Sequence, residues 1–268
     1  MSKFGVTSSS VAYATQLAIQ HNIKVLLIST SANDSLIKDS FWQEKKKKSF
    51  SFLGVNRELE TGGIVGLDRI IRSNKMTPEI ITDYAKIVLT NRLEILLGIE
   101  SDSVEQYDQV KQKYAQIINM AGKYYDMVVV DLDKRIGNKT EMEILRTSDV
   151  VVALVSQRAK QIEKVKKMIK EGIVLNEQNT LMVIGKYMEN TKYNAKNISR
   201  NLLKTKDIIN TIPYNNLFFE STQEGTVIDL FLTFMRIKEK DSNYNFVQEL
   251  KNLNEVIKEK NELLQMTK

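Results

Sequence analysis

The chain contains no cysteine, which excludes disulfides and thiolate metal sites. Its single histidine, His21, leaves no histidine cluster for zinc and no catalytic triad with a choice of bases. His21 reads instead as a polar residue ending the first helix. No apolar run approaches the ~18 residues needed to span a bilayer. The N-terminus also lacks a signal-peptide core, so the expected location is the cytoplasm. Only two prolines occur, Pro78 and Pro213. The first is expected in the opening turn of a helix, with Thr77 as its cap.

What is present suits one large α/β domain. Of 268 residues, 42% are hydrophobic and 27% charged, enough apolar surface for a sizeable core. A formal net charge of +6 permits weak nonspecific contact with DNA or anionic lipid. The sharpest basic element, Lys45-Lys46-Lys47-Lys48, reads as a solvated loop. Neither aromatic interleaving nor a helix-turn-helix signature accompanies it.

Strand-like apolar runs recur at Lys24–Ile28, Leu93–Leu97, Met127–Val130, Val150–Val155, Leu181–Ile184 and Ile208–Ile212. Most are unbroken rather than alternating, as in parallel strands buried on both faces. Helix-like segments at Pro78–Thr90, Val104–Tyr124, Ala159–Glu171 and Asn197–Leu203 lie between them. This alternation predicts a doubly wound, mainly parallel α/β sheet over residues 1–240, with helices on both faces. From Asp241 to Lys268 an amphipathic helix is expected. Phe246, Leu250, Leu253, Ile257, Lys260 and Leu264 fall at heptad spacing, interrupted by the lysine. That seam suits packing on its own domain or, alternatively, a partner helix or second copy.

Residues Gly5-Val6-Thr7-Ser8-Ser9-Ser10 are small and open a helix whose apolar stripe is Val11, Ala14, Leu17 and Ala18. A loop of small residues, a helix and then a strand is how phosphate-binding loops begin, the backbone amides cradling the anion. A working loop places a lysine just before its Ser/Thr to neutralise the β- and γ-phosphates. Here Ser8 stands in that place. A serine-rich helix cap fits the same residues.

Three blocks together resemble the ParA/MinD-like (SIMIBI-class) P-loop ATPases. They are the stretch from Lys3 to Ile28, the segment YDMVVVDLDKRIG at Tyr125–Gly137, and IPYNNLFFESTQEG at Ile212–Gly225. The likeness is to a divergent Firmicutes branch with a degenerate Walker A loop, with some similarity to the CpaE-like pilus-assembly proteins. The resemblance implies that Lys3 is the signature lysine reaching a dimer partner's nucleotide. It also implies that Gly5 and Val6 keep their places, Thr7 replaces a glycine, and Ser8 replaces the invariant lysine. Ser9 becomes the magnesium-binding hydroxyl, with Ser10 after it. Asp131 matches the carboxylate of the magnesium shell, and Asp133 is an addition. Ser29 stands where a carboxylate would position the attacking water, and Gly185 where an asparagine would face the base. Pro213 and Tyr214 match the segment lining the adenine. The family also has a strand upstream of its loop. The expectation is that the chain is truncated or its sheet rearranged, because losing a central strand exposes both neighbouring edges.

A hydroxyl cannot replace a carboxylate as a water-orienting anion at neutral pH. The resemblance therefore implies no catalytic residues and little or no ATP hydrolysis. The expected role is an adaptor or positioning factor for pilus, secretion or partition machinery. It would bind ATP with magnesium, or no cofactor. Its partner would be another protein or a second copy, engaged through the phosphate-loop face or the C-terminal helix. The alternatives are a slow ATP-dependent dimeric switch and a nonspecific DNA-binding partition protein.

Overall fold

The computed structural model describes residues 5–32, 35–42, 63–99, 104–170, 179–202 and 209–266. Lys3 and the Lys45–Lys48 run lie outside them. Two compact units emerge. The first comprises Met1–Ser9, Ser148–Phe219 and Thr233–Lys268; the second comprises Ser10–Thr147 and Glu220–Leu232.

The second unit is built on a four-stranded sheet in the order β2 (Lys86–Leu89), β3 (Leu93–Leu96), β1 (Val25–Ser29), β4 (Met127–Asp131). Strand β1 (Val25–Ser29) runs parallel to both β3 (Leu93–Leu96) and β4 (Met127–Asp131). All five β1 residues are buried, as the continuous run VLLIS requires of a strand paired on both sides. Within its sheet β4 pairs on one side only, and its valines are half-buried. Helix α1 (Val6–Gln20) begins in the first unit and continues here. Helices α2 (Ser35–Phe41), α3 (Gly63–Arg72), α4 (Ile81–Tyr84), α5 (Val104–Lys111), α6 (Tyr114–Ala121) and α7 (Asn138–Thr147) complete the unit's body. Leu26, Ile28, Ile64, Leu67, Leu96 and Ile117 form the centre of its core.

Two expectations for this region need correction. Pro78–Thr90 is not one helix capped by Thr77. Pro78 accepts a turn hydrogen bond from Ile81, α4 makes a single turn, and Lys86–Leu89 forms β2, antiparallel to β3. Asn91, in the left-handed region at φ 58°, closes the hairpin, and Arg92 N–H bonds the Leu89 carbonyl at 2.9 Å. The run Ile87-Val88-Leu89 favours a strand over a helix, and hairpin pairing decides it. The helix expected over Val104–Tyr124 is in fact α5 and α6, separated at Gln112-Lys113.

Burial also sets an alkaline limit on this unit. Tyr125 is buried, and its hydroxyl donates to Glu94 Oε2 at 2.6 Å. Desolvation first, then that hydrogen bond and the negative charge of Glu94, push its pKa well above the ordinary tyrosine value. Burial alone pushes Tyr13 the same way. The folded state therefore holds protons that the unfolded chain releases near pH 10, so stability is level below about pH 10 and declines above it. Denaturant titrations from pH 8 to 11 should show this decline, and Tyr125→Phe should reduce its slope by up to about 1.4 kcal/mol per pH unit.

The first unit holds a three-stranded parallel sheet, β5 (Val151–Val155), β6 (Thr180–Tyr187) and β7 (Asn210–Pro213), with β6 central. Helices α8 (Ala159–Lys170) and α9 (Ala195–Leu202) pack together over Ile162, Ile184, Ile198 and Ile209. Helices α10 (Asn216–Glu224) and α11 (Val227–Phe234) follow β7, each divided between the units. The long α12 (Tyr244–Met266) lies against β7. Its Phe246 stacks on Phe218 at 5.4 Å and meets Phe234 edge-on, and Glu249 accepts from the Thr211 hydroxyl at 2.7 Å. The heptad seam is buried within this unit from Phe246 through Ile257, leaving only the last turns with exposed apolar residues, Leu263 and Met266. A partner helix using the whole seam is thus excluded. Among the described residues, no helix is long and apolar enough to cross a membrane.

Candidate functional site

In the first unit, Gly5 sits at φ +71°, a conformation that favours glycine, and α1 starts at the next residue. Val6, Thr7, Ser8 and Ser9 therefore form the first helical turn. The opening amides of a helix have no acceptor in the preceding turn, and its N-terminus carries partial positive charge. Ser9 N–H bonds the Gly5 carbonyl at 2.8 Å, and the Ser8 hydroxyl donates to the same oxygen at 3.0 Å. Ser8 thus turns its side chain back onto the backbone, and Ser9 is buried.

Lys186, at the end of β6, joins this group. A register shift between Gly185 and Tyr187 interrupts its pairing with β7, and Lys186 adopts φ 51°. Such a bulge re-aims a side chain. A Cβ built on Gly5 would lie 2.8 Å from Lys186 Cε, 3.0 Å from its Cγ and 3.1 Å from Ser8 Oγ. The lysine stem crosses the α-carbon of Gly5. Gly5→Ala should consequently cost about 1–2 kcal/mol from the left-handed backbone alone, before any displacement of the lysine. A thermal melt of the variant tests this.

Beside β6, Tyr187 pairs with Pro213, and Tyr214 N–H bonds the Tyr187 carbonyl at 2.8 Å. The Tyr214 ring is 45% exposed and sits 6.4 Å from Phe219, leaving an aromatic face at the end of β7. Asn215 caps α10 by accepting from Phe218 N–H at 2.8 Å, and its amide donates to Asn243 at 2.7 Å. The sequence reading passed over that cap, although an Asn before an apolar helix is its usual signal.

The second unit carries Ser10, Ser29 and Asp131. Ser29 ends β1 in register with Asp131 at the end of β4, and both are buried. Thr30 fastens the two strand ends: its hydroxyl donates to the Asp131 carbonyl at 3.0 Å and accepts from Asp133 N–H at 2.8 Å. The Ser31 hydroxyl donates to Asp133 Oδ2 at 3.2 Å, and the Tyr107 hydroxyl holds the Thr30 carbonyl at 2.8 Å. The added Asp133 is thus part of the loop's own bonding. Among the described residues, no group of three or more His, Cys, Asp or Glu side chains could hold a metal. Magnesium in nucleotide sites often takes one or two carboxylates, with phosphate and water oxygens for the rest.

No protein-family model and no curated protein sequence matches the chain. Solved structures do match. A ParA family ATPase from Chlorobium tepidum superposes with a TM-score of 0.66 at 12% identity, covering 93% of each chain. The septum site-determining protein MinD from Pyrococcus horikoshii, complexed with Mg-ADP, gives 0.61 at 12%, covering 97% of this chain and 95% of that one. The fold is that of the ParA and MinD ATPases. A putative plasmid partition protein from Borrelia burgdorferi bound to AMPPNP gives 0.53 at 18%, with coverage of 97% and 95%.

Proposed function

We propose that the chain is a ParA/MinD-like adaptor or positioning factor, serving partition, pilus or secretion machinery, that holds nucleotide with little or no hydrolysis. The observation that carries this reading is Ser8. Where a working loop presents an ammonium, this chain presents a hydroxyl bonded to the Gly5 carbonyl. Ser29, buried opposite Asp131, supports it, because a hydroxyl stands where a water-orienting carboxylate is needed. Within the first unit, the amides of Thr7 and Ser8 and the Tyr214 face would bind phosphate and base; in the second unit, taken by itself, Asp131 is a carboxylate of the kind that suits magnesium. Bound nucleotide would supply an on–off state for engaging a protein partner or a second copy. Contact with DNA would be weak and nonspecific.

A slow ATP-dependent dimeric switch is the second reading, favoured by the retained carboxylate of Asp131. Phosphate release from Mg-ATP by the wild type and Asp131→Ala separates the two. The adaptor reading expects the same background rate from both, whereas a switch ATPase loses a measurable rate on the substitution.

A further inference from the structure

We infer that the outward face of α8 and α9 is a docking surface for an acidic helical segment of a partner protein. The inference rests on the adaptor reading above and names the chemistry of the partner, without using the nucleotide.

The charge of the chain is concentrated on these two helices. Their sequences, AKQIEKVKKMIK and AKNISRNL, hold seven basic residues and one acid, Glu163. That excess equals the formal net charge of the whole chain, +6, so the remaining residues balance to zero. Lys160, Lys164 and Lys167 recur at helical spacing on α8, Lys196 and Arg200 on α9, and all five are exposed. The helices pack together over Ile162, Ile198 and Leu202, and Lys166 Nζ donates to Asn201 Oδ1 at 3.3 Å. Both basic stripes thus belong to one surface of the first unit.

This arrangement works against the stability of the helices that carry it. Lys160 with Lys164, Lys166 with Lys170 and Lys196 with Arg200 are like charges at i, i+4, each mildly destabilising. Neither helix has an acid in its first turn, where Lys160 and Lys196 oppose the helix dipole. Burial of Ile162, Val165 and Ile169 holds α8 in place without help from the charges. A surface that keeps such charges against its own stability suits a partner of opposite sign.

Glu163 discriminates among anionic partners. It is exposed within the stripe, at i+3 from Lys160 and i−4 from Lys167. A nucleic-acid backbone or an anionic bilayer is negative throughout and would meet it with repulsion. A polypeptide can set Asp or Glu against the lysines and a hydrogen-bond donor against Glu163. The apolar side of α8 is turned into the core, so it does not enter a bilayer. Lysines at four- and three-residue spacing match carboxylates at the same spacing on a helix laid alongside.

The test uses the double variant Lys164→Glu, Lys196→Glu in the full chain. Both residues are exposed, and each reversal turns like-charge pairs into opposite ones. Wild type and variant are melted, and binding is followed by fluorescence anisotropy with a labelled alanine-based helical peptide carrying glutamates at i, i+4 and i, i+7. Parallel arms at the same physiological salt use that peptide with lysine for glutamate, labelled duplex DNA, and phosphatidylcholine vesicles with and without phosphatidylglycerol. The expected result is a thermal midpoint unchanged or raised in the variant, with affinity for the glutamate peptide reduced about tenfold or more. The other probes should bind the wild type more weakly than that peptide does. Equal peptide binding by wild type and variant, or binding by neither, overturns the assignment. Tighter binding of DNA or of phosphatidylglycerol vesicles, or self-association of the wild type that the reversals abolish, gives the face to that occupant and overturns it too. A variant that melts below wild type would show that the lysines serve the fold, and the assignment falls. Each of these failures leaves the adaptor reading standing, because the phosphate-release comparison decides that reading separately.

Discussion

Incubated with ATP and magnesium, the wild-type chain is expected to release phosphate at the uncatalysed rate, and Ser8→Lys alone to leave that rate unchanged. Phosphoryl transfer depends on positioning and on charge fixed in advance, so each missing group acts directly on the barrier. Removing one preorganised group from a transition state commonly costs ~10²-fold or more. On the proposed reading two are missing here. Ser8 bonds the Gly5 carbonyl where an ammonium is required, and Ser29 ends β1 in register with Asp131 where the resemblance puts a second carboxylate. Ser8→Lys restores the first and leaves water unoriented. Turnover in the wild type that is abolished by Asp131→Ala would show that Ser29 is not the loss it appears in sequence, and would favour the slow switch.

The second large effect concerns α12. Leu250→Ala is expected to destabilise the first unit by about 2–5 kcal/mol, the usual range for emptying a fully buried leucine site. Leu250 is 0% exposed, in a row with Phe246, Leu253 and Ile257 that packs against β7. Leu253→Lys and Ile257→Lys should each cost about 2 kcal/mol or more, because they place a charge in the same core. Sedimentation of Leu263→Lys gives the contrast. Leu263 is 63% exposed on the last turns of α12, so its substitution should leave the melt within about 0.5 kcal/mol of wild type. If Ile257→Lys left the midpoint unchanged and altered only association, the packing of the seam within its own unit would be contradicted.

The strands that sequence made legible are those whose signal is local. The runs around β1, β4, β5 and β6 are largely unbroken and apolar, a local composition that needs no knowledge of neighbours, although of these only β1 and β6 are paired on both sides. Strand β2 escaped because Lys86–Leu89 lies inside a stretch with passable helical spacing, and only pairing with β3 makes it a strand. Helix α3 was missed for a related reason. Gly63 and Gly66 lower its intrinsic helicity, while Ile64 and Leu67, both 0% exposed, hold it by packing. The valines of β4 look identical in sequence to those of a central strand, yet in this sheet the strand pairs on one side.

The candidate site divides in the same way. Its loop could be read from Gly5 to Ser10 because small residues before an apolar stripe are a local pattern, and Asp131 because it closes a strand. Two features were out of reach. The helix reaches back to Val6, so Ser8 sits within its first turn, a matter of backbone geometry that composition does not specify. The approach of Lys186 to Gly5 joins opposite parts of the chain. In sequence the preceding residue, Gly185, marked only the absence of an asparagine. The bulge that redirects it becomes visible once β6 and β7 are paired.

The most direct test of nucleotide held without turnover is to identify the nucleotide that stays with the protein. The full chain is incubated with Mg-ATP for several hours, separated from free nucleotide on a desalting column, denatured, and the released nucleotide analysed by chromatography. The account predicts a near-stoichiometric amount recovered as ATP. Recovery as ADP would contradict the loss of hydrolysis, and recovery of no nucleotide would contradict the phosphate site itself.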